Sequence, residues 1–137
     1  MSDRVRLLEL LAESRRREKA QTIFYRHLAA EAEEVFDSVA SERLNDLHAD
    51  EQHQLSRLTA RLIELDGVPA DLRDVTAPTA ALKGWESVAR EREQDEVSWY
   101  ERALQAPMDE ATRGVLVEIL DSERHHHAEL RGKWMSA

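Results

Sequence analysis

The chain has 137 residues, a formal charge of −9 and a pI near 5.1. That length suffices for one domain with a sizeable core, and the acidic balance argues against nucleic acid as a partner, because phosphate binding needs a basic patch. The absence of cysteine excludes disulfides, thiolate zinc sites, iron–sulfur clusters and cysteine nucleophiles, while a composition rich in Leu, Ala, Glu and Arg with only four Gly and three Pro favours long helices over sheet.

The first residues, Met1 to Arg6, lack the apolar core of a signal peptide. No apolar run approaches the roughly 20 residues of a membrane span. The expectation is a cytoplasmic protein with no membrane partner, forming a single domain over 1–137. A first helix is expected from about Asp3 to Glu34. Its inward stripe starts at Leu7, Leu8 and Leu11 and continues as Glu18, Thr22, Tyr25, Ala29 and Ala32, a heptad seam. A second helix should begin near Ser38, with Asp37 or Ser38 as N-cap, and end at Gly67 and Pro69. Its stripe reads Leu44, Leu47, Glu51, Leu55, Leu58, Leu62 and Leu65.

Residues from Gly67 to about Pro78 form the long connection. The third helix is expected from about Thr79 to Gln105, with Leu82, Trp85, Ala89, Glu93, Glu96, Tyr100 and Ala103 inward. Pro107 ends it, and Asp109 can cap a fourth helix with stripe Leu116, Ile119, Glu123, His126, Leu130 and Trp134. Short, long and short connections make two antiparallel helix pairs joined by a crossover.

Each stripe carries a Glu near its middle: Glu18, Glu51, Glu93 and Glu123. Burying an ionised carboxylate without a partner costs several kcal/mol per ion. Four of them would exhaust the roughly 5–15 kcal/mol of a domain's stability. No Lys or Arg stands on the stripes at the same level, so a cation is the expected partner. Any one of these glutamates alone reads better as a surface residue; the case rests on the four together.

An internal repeat supports it. Glu18, five residues, then Phe24-Tyr25 matches Glu93, five residues, then Trp99-Tyr100. Without gaps, Glu51 lies over Glu123, Gln54 over His126 and Leu58 over Leu130, so the chain reads as a duplicated helical hairpin. Glu123-x-x-His126 puts a carboxylate and an imidazole on one helix face, one turn apart. Two single glutamates plus two Glu-x-x-His pairs is the ligand pattern of di-iron and di-manganese helical bundles. Here the second pair is Glu51-x-x-Gln54.

At these residues the chain resembles the rubrerythrin branch of the ferritin-like superfamily, over nearly its whole length. The resemblance implies an all-α ferritin-like four-helix bundle binding two iron ions, with manganese as the other option. That branch has a further Glu on helix three, one turn after the first, and Glu96 matches it. By resemblance, Glu18 and Glu96 hold one metal, Glu93 and His126 hold the other, and Glu51 and Glu123 bridge. Gln54 then ligates weakly through its carbonyl or leaves a position open. There are also departures. With no cysteine there is no rubredoxin centre, so electrons come from an external donor. No fifth helix follows Trp134, which argues against a ferritin-type cage. Gln21 stands where the other repeat has Glu96, so the two half-sites are unequal.

Tyr25 and Tyr100, two turns past Glu18 and Glu93, are either packed core residues or groups that hold a carboxylate or relay an electron. His127, four residues from Glu123, rivals His126 as a ligand; His125 also flanks it. His48 stands one turn before Glu51, while His27 and His53 are expected in solvent. The main functional expectation is reduction of peroxide or dioxygen at a di-iron centre, with Glu96, Tyr25 and Tyr100 as catalytic candidates. The alternative is iron handling by ferroxidase activity or storage; a metal-free helical interaction module ranks below both. Val35, Val88, Val115 and Trp99, outside the seams, suggest a homodimer.

Overall fold

The structure, a computed structural model, describes the backbone of residues 2–135 and the side chains of residues 2–130. The Trp134 side chain, expected on the fourth stripe, lies outside the described residues. The chain forms α1 (Asp3–Glu34), α2 (Ser38–Glu64), α3 (Trp85–Ala103) and α4 (Glu110–Met135). Among the described residues there is no strand. No described helix is long and apolar enough to cross a membrane.

Local chemistry sets the helix ends. α1 runs 32 residues without Gly or Pro and stops where Phe36 takes φ 57°. That left-handed turn lets the Asp37 amide donate to the Ala32 carbonyl at 2.9 Å. Asp37 then caps α2, its carboxylate accepting from the Ala40 amide at 3.0 Å. At the far end of α2 the left-handed residue is Asp66, φ 61°, rather than Gly67. Gly67 serves closeness instead: its amide donates to the Leu62 carbonyl at 2.9 Å, and a Cβ there would meet Leu62 Cδ1 at 2.8 Å.

The third helix begins later than its periodicity suggested. It starts at Trp85, not Thr79, because Gly84 adopts φ 78° and breaks helical continuity. Leu82 therefore lies on the connection, half-buried. Asp109 caps α4, accepting from the Thr112 amide at 2.9 Å and from its hydroxyl at 2.7 Å.

The chain resolves into two compact units, Leu11–Lys83 and Met1–Leu10 with Gly84–Ala137. In the first, Arg15 Nε donates to Thr59 Oγ1 at 2.9 Å and Asn45 Nδ2 to Glu33 Oε1 at 3.3 Å. Early residues of α1 meet late residues of α2 and the reverse, so the pair is antiparallel. Arg15 Nη1 also donates to the Ala70 carbonyl at 3.1 Å, tying down the connection. The core here includes Leu11, Phe24, Leu28, Leu44 and Leu58, all buried. Each contributes roughly 1.5–3 kcal/mol through removal from water.

In the second unit α3 packs on α4. Arg124 Nη2 donates to Glu101 Oε2 at 3.0 Å, and His126 on α4 lies beside Glu93 on α3, so this pair is antiparallel too. Arg113 closes the hairpin by donating to the Leu104 and Ala106 carbonyls at 2.9 and 3.3 Å, which satisfies the end of α3. Trp85, Val97, Leu116, Ile119 and Leu130 fill the core.

Candidate metal centre

The α3–α4 hairpin brings three of the expected ligands together. Glu93 and Glu123 are fully buried and His126 is 2% exposed. Heptad phase puts all three inward, and the antiparallel pairing brings the middles of the two helices to the same level. His126 Nδ1 lies 3.8 Å from Glu93 Oε1 and 3.7 Å from Glu123 Oε1. One ligand atom from each of the three falls within 4.8 Å of the others. Separations of 3.7–3.8 Å exceed hydrogen-bonding reach. They suit a shared cation, since bonds of roughly 2.1 Å can span donors up to about 4.2 Å apart. Hard carboxylate oxygens with one imidazole fit iron or manganese better than copper.

Glu96 is 7% exposed, one turn after Glu93 on the same face of α3. Glu96 therefore faces inward, not into solvent. Tyr100, two turns past Glu93, is fully buried, with Trp99 edge-on at a ring separation of 5.0 Å. His126, not its neighbours, faces this cluster. His125 is exposed and 3.2 Å from Glu129, and His127 is half-buried.

The α1–α2 hairpin repeats the arrangement with different chemistry. Glu18, Gln21, Glu51 and Gln54 are buried in the equivalent positions. Tyr25 is fully buried against Phe24, ring centroids 5.3 Å apart and edge-on. His48 is half-buried, and burial, then Arg26 and Lys19, push its imidazole below the ordinary value. His27 and His53 are exposed, as expected.

One cation does stand close to a stripe. Arg15, one turn before Glu18, is 7% exposed, and burial pushes its guanidinium down from the ordinary value. Its donors go to Thr59 and the Ala70 carbonyl, so it acts as a tie between helix and connection. In the sequence this role is hidden, because Arg15 lies in a run of three arginines, Arg15 to Arg17, that looks like a solvated face.

No protein-family model matches the chain, and no curated protein is detectably similar to it. Among solved structures it is similar to the bacterioferritin of Desulfovibrio desulfuricans, described with its diiron site in different catalytic states. The TM-score is 0.88 at 16% identity, over 95% of this chain and 78% of that one. The chain therefore has the ferritin-like four-helix bundle fold.

Proposed function

We propose that the protein handles iron by oxidising ferrous ions at a carboxylate-bridged pair of metal positions. The observation that carries this is the buried gathering of Glu93, Glu123 and His126 in a chain with the fold of a diiron protein. In this reading Glu93 and His126 would hold one ion and Glu18 and Glu96 the other, with Gln54 a weak further ligand or none, and Glu51 and Glu123 would be shared. Ferrous iron is the substrate. Two Fe2+ give one electron each to one O2, which leaves with two protons as H2O2. Carboxylates suit the task because anionic oxygen stabilises the ferric product more than the ferrous reactant. In this reading the buried Tyr25 and Tyr100 fix carboxylate orientation or pass an electron.

A second reading is supported by Glu96. A buried extra carboxylate on α3 matches the rubrerythrin-like expectation of peroxide reduction. Two Fe2+ and two protons then convert one H2O2 to two H2O, and an external donor restores the ferrous state. One experiment tests both readings: ferrous-loaded protein is prepared anaerobically and mixed with dioxygen or with peroxide. Iron handling expects oxidation by dioxygen well above the rate in buffer, abolished in Glu123→Gln. Oxidation no faster than in buffer with either oxidant would refute both readings.

A further inference from the structure

The α1–α2 hairpin carries a cavity of about 320 Å3 whose polar lining is Lys19, Thr22, Arg26, His27, His48 and Gln52, with no carboxylate. All of these residues belong to the compact unit Leu11–Lys83. Lys19, Thr22 and Arg26 share one face of α1 along two turns, and His48 and Gln52 stand one turn apart on α2. An acid-free lining is unexpected in a chain with 28 acidic and 19 basic residues. Among the described residues neither the Lys19 ammonium nor the Arg26 guanidinium has a hydrogen bond or an ion pair. Their charge reaches the cavity: burial first, then Arg26 and Lys19, hold the half-buried His48 imidazole below its ordinary value. Thr22 takes no part, since its hydroxyl is spent on the Lys19 carbonyl at 2.7 Å.

The duplicated hairpin supplies an internal comparison. In the repeat, Arg26 corresponds to Glu101, Gln52 to Arg124, Lys19 to Gln94 and His48 to Leu120. There Arg124 Nη2 donates to Glu101 Oε2 at 3.0 Å, and Leu120 is buried. That face satisfies its own charges. The α1–α2 face has a cation where the carboxylate stands in the repeat, and a soluble anion would supply the missing counter-charge.

We propose that this groove binds phosphate, free or as the end group of a small phosphomonoester, between Lys19, Arg26 and His48. A phosphate group carries about −1.5 to −2 charges near neutral pH, which matches two fixed cations, whereas one carboxylate matches half. The guanidinium fork of Arg26 fits two oxygens of such an anion. The cavity, about 320 Å3, is an order of magnitude larger than the roughly 30 Å3 share of one water, so a polyatomic ligand has room. The site stands on α1–α2 alone and does not rest on the two-metal reading.

The test is calorimetric titration of the full-length protein with inorganic phosphate, at ionic strength matched with chloride. A parallel titration with glycerol 3-phosphate shows which form is preferred; saturable binding of either supports the site. The expected dissociation constant is about 1 mM or tighter. In metal-depleted, desalted protein, the His48 imidazole proton signal, assigned with His48→Gln, should move along the same saturation curve, while those of the exposed His53 and His125 stay nearly still. Arg26→Glu with Gln52→Arg transplants the charge arrangement of the other hairpin and should weaken binding at least roughly tenfold; circular dichroism checks that it folds. No saturable binding of either compound by the wild-type protein, a measurement independent of any variant, overturns the inference. So does a His48 signal that ignores phosphate, or a folded double variant that binds as well as the wild type, which would place the anion elsewhere.

Discussion

Replacing Glu123 by Gln should have opposite effects on stability with and without metal. Glu123 is fully buried, and its ligand oxygen lies within 4.8 Å of that of Glu93. At that limit, with an effective dielectric near 20, two unit negative charges repel by about 3.5 kcal/mol. Local relaxation and water entry reduce the figure, and we take about 1.5 kcal/mol as the gain in metal-free protein. Gln keeps the volume and shape of Glu, so the core stays filled. For 137 residues the unfolding entropy is roughly 0.29 kcal/mol/K. The metal-free variant should therefore melt about 5 °C above the wild type.

With metal the order reverses. A ligand at about 100 times its Kd stabilises the native state by about 2.7 kcal/mol per site, or about 9 °C on the same scale. The variant should lose most of that rise. The assay is scanning calorimetry under anaerobic conditions, with chelator and with excess Mn2+. A variant that melts below the wild type in chelator and keeps the full metal-induced rise would refute the reasoning.

Glu96→Ala in ferrous-loaded protein should slow oxidation by peroxide at least tenfold, about 1.4 kcal/mol of barrier, while metal loading survives; an unchanged peroxide rate removes the case for the second reading. Arg15→Met should cost about 1–2 kcal/mol through loss of its bonds to Thr59 and the Ala70 carbonyl. Urea titration reads this directly, and a loss below about 0.5 kcal/mol would deny the tie its role. His48 carries a pH dependence. Its folded pKa is depressed, by burial first and then by Arg26 and Lys19, so the unfolded chain binds the proton more tightly. The neutral form's stability is present above about pH 6.5 and is lost as pH falls through the window below it. In chelated protein, His48→Gln should show a smaller drop in Tm between about pH 7.5 and 5.5 than the wild type, and equal drops would count against the argument.

The architecture was legible because helix phase is a strong signal. Every seam residue of α1 from Leu11 onward, Glu18 included, is buried. On α3 the seam holds from Trp85 to Ala103. Reading failed where conformation depended on a single torsion. Nothing in the pattern Thr79 to Gly84 shows that Gly84 will turn left-handed, and a segment reading Thr-Ala-Ala-Leu-Lys looks like the start of a helix. It failed also where a side chain reaches between elements. Arg15 sits in a run of arginines and Arg113 between Thr112 and Gly114, and the carbonyls of Ala70, Leu104 and Ala106 that they bond are backbone groups that carry no residue-type signal. Phe36, 92% exposed at φ 57°, was no easier to foresee, because left-handed turns normally recruit Gly or Asn.

The centre was legible for a different reason. A glutamate on an apolar stripe violates the local rule for helix patterning, and such violations collect at functional positions. The duplicated hairpin makes the argument sharper. Apolar positions of the two repeats drift freely in identity, since Leu, Ala and aromatic residues all exclude water. The polar inward positions drift in charge instead. α1–α2 keeps two inward carboxylates, Glu18 and Glu51; α3–α4 keeps three, Glu93, Glu96 and Glu123, with His126 beside them. A purely structural origin for these residues would favour losing all of them, since each costs stability when buried alone. Keeping them at inward positions fits the proposal that a cation binds among Glu93, Glu123 and His126.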